Sequence, residues 1–440
     1  MLLAPTLLLN AGSGAAIARP TFSRDFAGEK TLNNGTGPAI TFTRASNATY
    51  FDANGTLQTA ANDAPRFDHS GGSSLGLLIE ESRTNSLRNS QAGGSTNGVI
   101  GSGGALPTNW ASASTAAAAY EIIGTGTEAG LTYIDIKISG TNSTGSAANP
   151  AIGFEVGTQI VAAQNQTWTS SLYVSMVAGS TSGVASFELN IVERDSSGNV
   201  LGNNGTTFTP TATRSRFSHT RTMASASTGR VTDRIRLTVN DGQTYNLTLR
   251  IAAPQLEQGA FPTSYIPTTT AAATRSADSA VVTPISSFYN QSEGTLFAEG
   301  SFGRRNIGEG FASLAQETFG RGLNGGLRTA ASTANFLFRN SAAPTPNLNE
   351  VNDNSANLDG VTIQKMAAAH NSLGHVFGSA IGRSVVSDEA DTISPLPVCD
   401  RLLIGEHNNN GPTPKLNGHI RKLAYWPRRL SNTLLQQLTT

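Results

Sequence analysis

Glu389 and Asp391 sit two apart in Ser-Asp-Glu-Ala-Asp-Thr-Ile-Ser, residues 387–394. Carboxylates at that spacing on one strand share a face, and a protonated and an ionised carboxylate flanking a glycosidic bond can hydrolyse it. The full pattern Glu-x-Asp-x-x-Glu needs a third carboxylate at position 394, where Ser394 stands. Without that acid or base the segment reads as a solvated loop. Glu80 and Glu81 are adjacent, so on a strand they face opposite ways and cannot grip one bond; with Arg83 close by, a structural ion pair is expected. The six histidines, His69, His219, His370, His375, His407 and His419, form no His-Glu-x-x-His motif, and His370 and His375 are five apart, out of phase on a strand. No Gly-x-Ser-x-Gly elbow is accompanied by a Ser/His/Asp constellation. Gly-Leu-Asn-Gly-Gly-Leu and Gly-Ser-Gly-Gly-Ala-Leu lack the Lys-Ser/Thr ending of a phosphate loop. Catalysis is not expected.

Binding chemistry has more material. A pyranose stacks on an exposed aromatic face ringed by polar side chains, and Trp110, Tyr120, Trp168, Tyr173 and Tyr289 are the aromatic residues in suitable surroundings. Trp168 and Tyr173 lie in one alternating segment with opposite parity, so at least one faces outward. Trp110, Trp168, Tyr173 and Tyr289 are therefore the candidate glycan contacts, against the competing use of aromatic residues as core. Trp426 reads as core or interdomain packing. Arg421, Lys422, Arg428 and Arg429 form the densest basic run, read as a solvated strand end. No cofactor is expected, except that Asn/Asp-rich residues 349–360 offer Asp353 and Asp359 as loose calcium ligands, without the spacing of an EF-hand.

Strands must position these side chains. Only 14% of the 440 residues are charged and 46 are glycine, which suits short strands joined by polar turns rather than long helices. Residues 48–60 alternate on both sides of Asn54-Gly55, a tight-turn pair that predicts a hairpin. Alternating runs then recur from about residue 131 to 258, each bounded by Gly, Asn or Ser, and predict two antiparallel sheets face to face. In Phe-Glu-Leu-Asn-Ile-Val, residues 187–192, Phe187, Leu189 and Ile191 share the core side while Glu188, Asn190 and Val192 face the wet side. After the last run, Gly-Ala-Phe-Pro-Thr-Ser-Tyr-Ile-Pro places Phe261, Tyr265 and Ile266 against the finished sandwich. A further series of strands ends in a short helix capped by Ser431, with Leu434, Leu435 and Leu438 on one face.

The expected architecture is all-β and multi-domain, with antiparallel sandwiches of jelly-roll and concanavalin A-like form. An N-terminal arm covers 1–21, a small β docking module 22–86, a jelly roll 87–267, a linker 268–292, and a second sandwich with a terminal helix 293–440. The arm segment imitates a signal peptide, but no Lys or Arg precedes Arg19. Lys plus Arg and Asp plus Glu are each 30, so no net field draws the chain to nucleic acid or to an anionic membrane. Cys399 is the single cysteine, which excludes an intrachain disulfide. No stretch approaches the length of a membrane-spanning apolar segment, and membrane insertion is not expected.

Residues 42–85, with Arg44-Ala45-Ser46, Pro65-Arg66-Phe67 and Gly76 to Glu80, resemble a module recurrent in tailed-bacteriophage virion proteins of the tail-fibre, head-fibre and head-spike types. The middle block, closing in Ala-Pro-Gln-Leu-Glu-Gln and ending at Arg-Ser-Ala-Asp, is similar to carbohydrate-binding-module-like jelly rolls. Residues 416–439 resemble the last strand and helix of concanavalin A-like or laminin-G-like domains. These resemblances imply a virion protein on the exterior of a phage particle that adheres to host cell-surface polysaccharide and contacts other virion subunits. A homotrimer is the expected assembly, because unprotected sheet edges gain most from partners around an axis. A purely architectural capsid or tail decoration protein is the rival expectation, and a capsule depolymerase the less favoured one.

Overall fold

The computed structural model describes residues 19–113, 118–303, 310–316, 322–327, 334–339, 348–353, 363–390, 392–406 and 415–440. The arm at 1–18, His407 and Asp359 lie outside the described residues, as does the side chain of Asp353. The described secondary structure is nearly all β, in several antiparallel sheets, as the alternating patterns require.

The chain divides into two units. Unit 1 holds residues 1–55, 59–82 and 276–440; unit 2 holds 56–58 and 83–275. Two expected boundaries change as a result. Residues 22–86 do not stand alone: Phe22–Asp25 and Ser73–Ile79 both pair with Gly418–Trp426, and Phe67–Ser70 extends that sheet. So few residues cannot bury the apolar face of Leu77 and Ile79 by themselves, and the C-terminal sheet supplies the partner surface. Nor is 268–292 a spacer. Ala273–Arg275 pairs with Arg83–Asn85, and Ser279–Val282 lies between Thr41–Thr43 and Arg401–Ile404.

In unit 1 an eight-stranded and a seven-stranded sheet enclose one core that includes Phe22, Phe42, Leu77, Phe311, Leu402 and Tyr425. The helix Asn432–Thr439 covers a second apolar surface made by Phe297, Phe377 and Trp426, with Leu435 and Leu438 buried. Ser431 caps it, its Oγ accepting from Leu434 N at 3.4 Å. Trp426 is thus core within unit 1.

In unit 2 the seven-stranded sheet runs Ser215–Thr222, Thr167–Ser180, Thr244–Gln258, Leu131–Thr141, Ala119–Glu128, Gly98–Ile100 and Gly103–Gly104. The five-stranded sheet runs Ala111–Ala113, Ala151–Gly153, Arg230–Thr238, Ser186–Arg194 and Val200–Phe208. Ile134, Ile136, Leu172, Leu189, Ile235 and Leu249 are among the residues that fill the space between them. Five of these strands, Gly98–Ile100, Gly103–Gly104, Ala111–Ala113, Ala119–Glu128 and Val200–Phe208, fall outside the alternating runs of the sequence, since Gly, Ala, Asn, Ser and Thr mask their alternation. In Thr244–Gln258 the alternation also breaks. Ala253 has φ of 50° and the register to Thr167–Ser180 shifts there, so Ile251 and Leu256 point inward while Gln255 and Glu257 point out. Those two outward residues hold the following loop: Gln255 Oε1 accepts from Ile266 N at 2.7 Å and Glu257 from Thr263 N at 2.9 Å. Phe261, Tyr265 and Ile266 are buried beneath it, as expected.

Candidate functional site

The aromatic candidates separate by strand parity. Trp168, on the inner face of Thr167–Ser180, is 4% exposed and joins the core of unit 2. Trp110 is 6% exposed, donates Nε1–H to Asn89 O at 2.9 Å and meets the ring of Phe154 edge-on at 4.9 Å. Neither offers a face to a ligand. Tyr120 is buried too, its hydroxyl donating to Ala113 O at 3.0 Å and accepting from Ala151 N at 2.9 Å. Tyr289 packs against the core of unit 1 beside Tyr425, with ring centroids 6.0 Å apart. Tyr173 alone of the four named contacts is half-buried on an outer sheet face.

What surrounds Tyr173 is a constellation that sequence reading missed. In register, Tyr173 stands opposite Ala252 on one side of the central strand and Tyr133 stands opposite Ala252 on the other. Both rings therefore rise from one face, two strand spacings or about 10 Å apart, with a methyl group between them. Arg250 lies over the Tyr133 ring at 3.6 Å and makes two bonds to Asp135, each 2.9 Å. That bidentate pair holds Arg250 protonated above the ordinary guanidinium range. Arg214 and Arg216 stand 5.9 and 5.6 Å from the Tyr173 ring centroid. The face thus combines two aromatic rings, cationic donors and the Asp135 acceptor. The signal was present in Thr-Tyr-Ile-Asp-Ile-Lys, where Tyr133, Asp135 and Lys137 alternate with isoleucines, but which strand lies beside it cannot be read locally.

The carboxylates singled out by spacing serve other ends. Glu80 pairs with Arg66 at 2.7 Å. Asp278, from the Arg-Ser-Ala-Asp sequence, takes Arg66 at 2.5 Å and Arg44 at 3.0 Å, and accepts from Glu80 N at 2.8 Å. All four side chains are buried, and the two carboxylates hold Arg66 protonated against the opposing effect of burial. Arg44, Arg66, Glu80 and Asp278 thereby form a buried structural lock. Glu389 approaches His375 at 3.7 Å, and Asp391 lies outside the described residues. In the basic run, Arg421 bonds Glu299 at 3.0 Å and Arg429 stacks on Phe377 at 4.0 Å. Among the described residues no three His, Cys, Asp or Glu side chains converge to hold a metal. No helix among them is long and apolar enough to cross a membrane.

Neither a protein-family model nor a curated protein matches the chain. Among solved structures, the enzymatically active domain of tailspike protein 4 of bacteriophage CBA120 aligns at 13% identity and a TM-score of 0.23, over 35% of this chain and 20% of its own length. A CBM4 structure aligns at 15% identity and a TM-score of 0.21, over 32% of this chain and 78% of its own. The tandem CBM22-1–CBM22-2 domain of Xyn10C from Paenibacillus barcinonensis aligns at 9% identity and a TM-score of 0.25, over 79% of this chain and 98% of its own. The chain thus spans a fifth of the tailspike domain's length.

Proposed function

We propose that this protein is a non-catalytic adhesin on the exterior of a tailed-phage particle, and that unit 2 binds bacterial-surface glycan through the face bearing Tyr133 and Tyr173. The observation that carries the glycan reading is the shared register of the two tyrosines on Ala252. A sugar ring entering beside them finds the Tyr173 ring for a C–H face, the Arg250 guanidinium that lies over the Tyr133 ring as donor, and the Asp135 carboxylate for its hydroxyls. The virion setting is supported by the sequence resemblance of residues 42–85. A homotrimer would make weak single-site contacts avid, since many copies act on one surface.

The test is a glycan array probed with the full chain and with Tyr133→Ala/Tyr173→Ala. Binding that falls about tenfold or more in the double variant supports the reading, each lost stacking contact being worth about 1 kcal/mol. Equal binding by both proteins refutes it. Incubation with the bound polysaccharide should release no reducing ends, and light scattering should give three times the mass of one chain.

A further inference from the structure

The opposite side of unit 2 carries a different chemistry. On Ser186–Arg194 and Arg230–Thr238, Leu189, Ile191, Val231, Ile235 and Leu237 fill the core, so Glu188, Asn190, Arg194, Arg230, Arg234 and Arg236 are turned to the outer face. In register, Arg230 stands opposite Arg194, Arg234 opposite Asn190 and Arg236 opposite Glu188. Asn190 and Val192, expected on a wet face, are fully buried in this arginine-rich layer. Glu188 neutralises Arg236 at 2.7 Å. Arg194, Arg230 and Arg234 have no carboxylate partner among the described residues: Arg194 bonds Thr232 at 3.1 Å and Gly198 O at 2.8 Å, Arg230 bonds Gly229 O at 3.2 Å, and Arg234 Nε bonds Asn190 at 3.1 Å. The Nε atoms of Arg230 and Arg236 are buried without a partner. Burial, then the charges of Arg236 and Arg194, depress the Arg234 pKa, with Glu188 opposing them.

We propose that this face is a second binding site, which takes the carboxylate groups of an acidic polysaccharide. Three uncompensated guanidiniums within one sheet face make fork-shaped donors for carboxylates. Asn203, exposed beside the buried Asn190 at 3.3 Å, supplies an amide suited to a hydroxyl. The outward positions of the two central strands hold no aromatic residue for a neutral ring to stack on. A chain of zero net charge lacks the field that nucleic-acid binders use. The site shares no residue with the tyrosine-lined face, so either proposal can fail without the other.

Affinity electrophoresis of the full chain through gels containing polygalacturonate, neutral dextran or poly(dT) tests it. Retardation is expected with polygalacturonate and not with dextran. Arg230→Gln/Arg234→Gln, which spares the Glu188–Arg236 pair, should weaken it about a hundredfold, roughly tenfold for each charge-assisted bond lost. Asn203→Asp/Thr207→Glu adds two carboxylates at exposed rim positions without replacing an arginine, and should also abolish retardation if the first variant misfolds. Lys30→Gln, in unit 1, should leave it unchanged. Equal retardation of the native protein and both site variants, equal retardation by dextran, or tighter binding to poly(dT) than to polygalacturonate would each overturn the assignment.

Discussion

Asp233 shows how one residue couples the sandwich of unit 2 to pH. It is fully buried on the inner face of Arg230–Thr238 and accepts from Ser170 Oγ at 2.6 Å. Burial, reinforced by the nearby charge of Glu155, raises its pKa to about 7. In the unfolded chain the group titrates near the ordinary value of about 3.9. Between those values the folded state holds a proton that the unfolded state has lost. Its contribution to stability is therefore complete below about pH 4 and is lost as pH rises through 7. Asp233→Asn has no charge to bury, so its stability relative to the native protein should improve by a few kcal/mol between pH 4 and pH 8, as read by denaturant titration at both pH values. A pH-independent difference would show that the carboxyl stays ionised. The same parity rule that buries Asp233 sends Trp168 inward and Tyr173 outward, so the opposite orientation of these two was legible in the sequence. That Trp110 is also core was not, because it follows a Gly/Ser-rich stretch with no period to read.

At the scale of elements, close approach and covering helices decide what each strand tolerates. Gly76, in Ser73–Ile79, has φ of 96°, and a Cβ there would sit 2.2 Å from Ile420 O on the paired strand. Gly76→Ala should separate these strands, lowering the melting temperature of unit 1 and exposing apolar surface to a dye such as ANS. The terminal helix is held by what it covers. Leu435→Ala removes a fully buried side chain over Phe297, Phe377 and Trp426, and should cost about 2–5 kcal/mol in denaturant unfolding. Ser431→Ala loses only the cap and should cost about 1 kcal/mol. The helix, its cap and its leucine stripe were all readable, since capping chemistry and a 3.6-residue period are local. The strand Val200–Phe208 was not, because its Gly and Asn residues suit a turn as well as an exposed edge.

Across the whole molecule, the buried lock of Arg44, Arg66, Glu80 and Asp278 ties together parts of unit 1 that are far apart in sequence. Removing Asp278 leaves two buried arginines facing one carboxylate, and breaking such a set costs about 3–5 kcal/mol. Asp278→Ala should therefore destabilise unit 1 far more than Arg421→Ala, whose partner Glu299 also approaches Lys422 at 3.9 Å. Comparable denaturant midpoints for the two variants would remove the lock from the account. The lock also explains why Arg-Ser-Ala-Asp follows a run of Thr and Ala: Arg275 belongs to unit 2, and three residues later Asp278 anchors unit 1.

By itself the amino-acid sequence determined the β class, most strand positions, the terminal helix and the inward or outward sense of individual side chains. Each depends on period-two or period-3.6 patterning within a few residues. Tertiary structure decided which segments share a sheet, and with it both candidate sites. Tyr133 and Tyr173 are forty residues apart and meet only because a third strand, carrying Ala252, lies between theirs. Arg230 and Arg194 come together by the pairing of Arg230–Thr238 with Ser186–Arg194. Local pattern sets which way a side chain points; long-range register sets what it points beside, and recognition chemistry depends on the second.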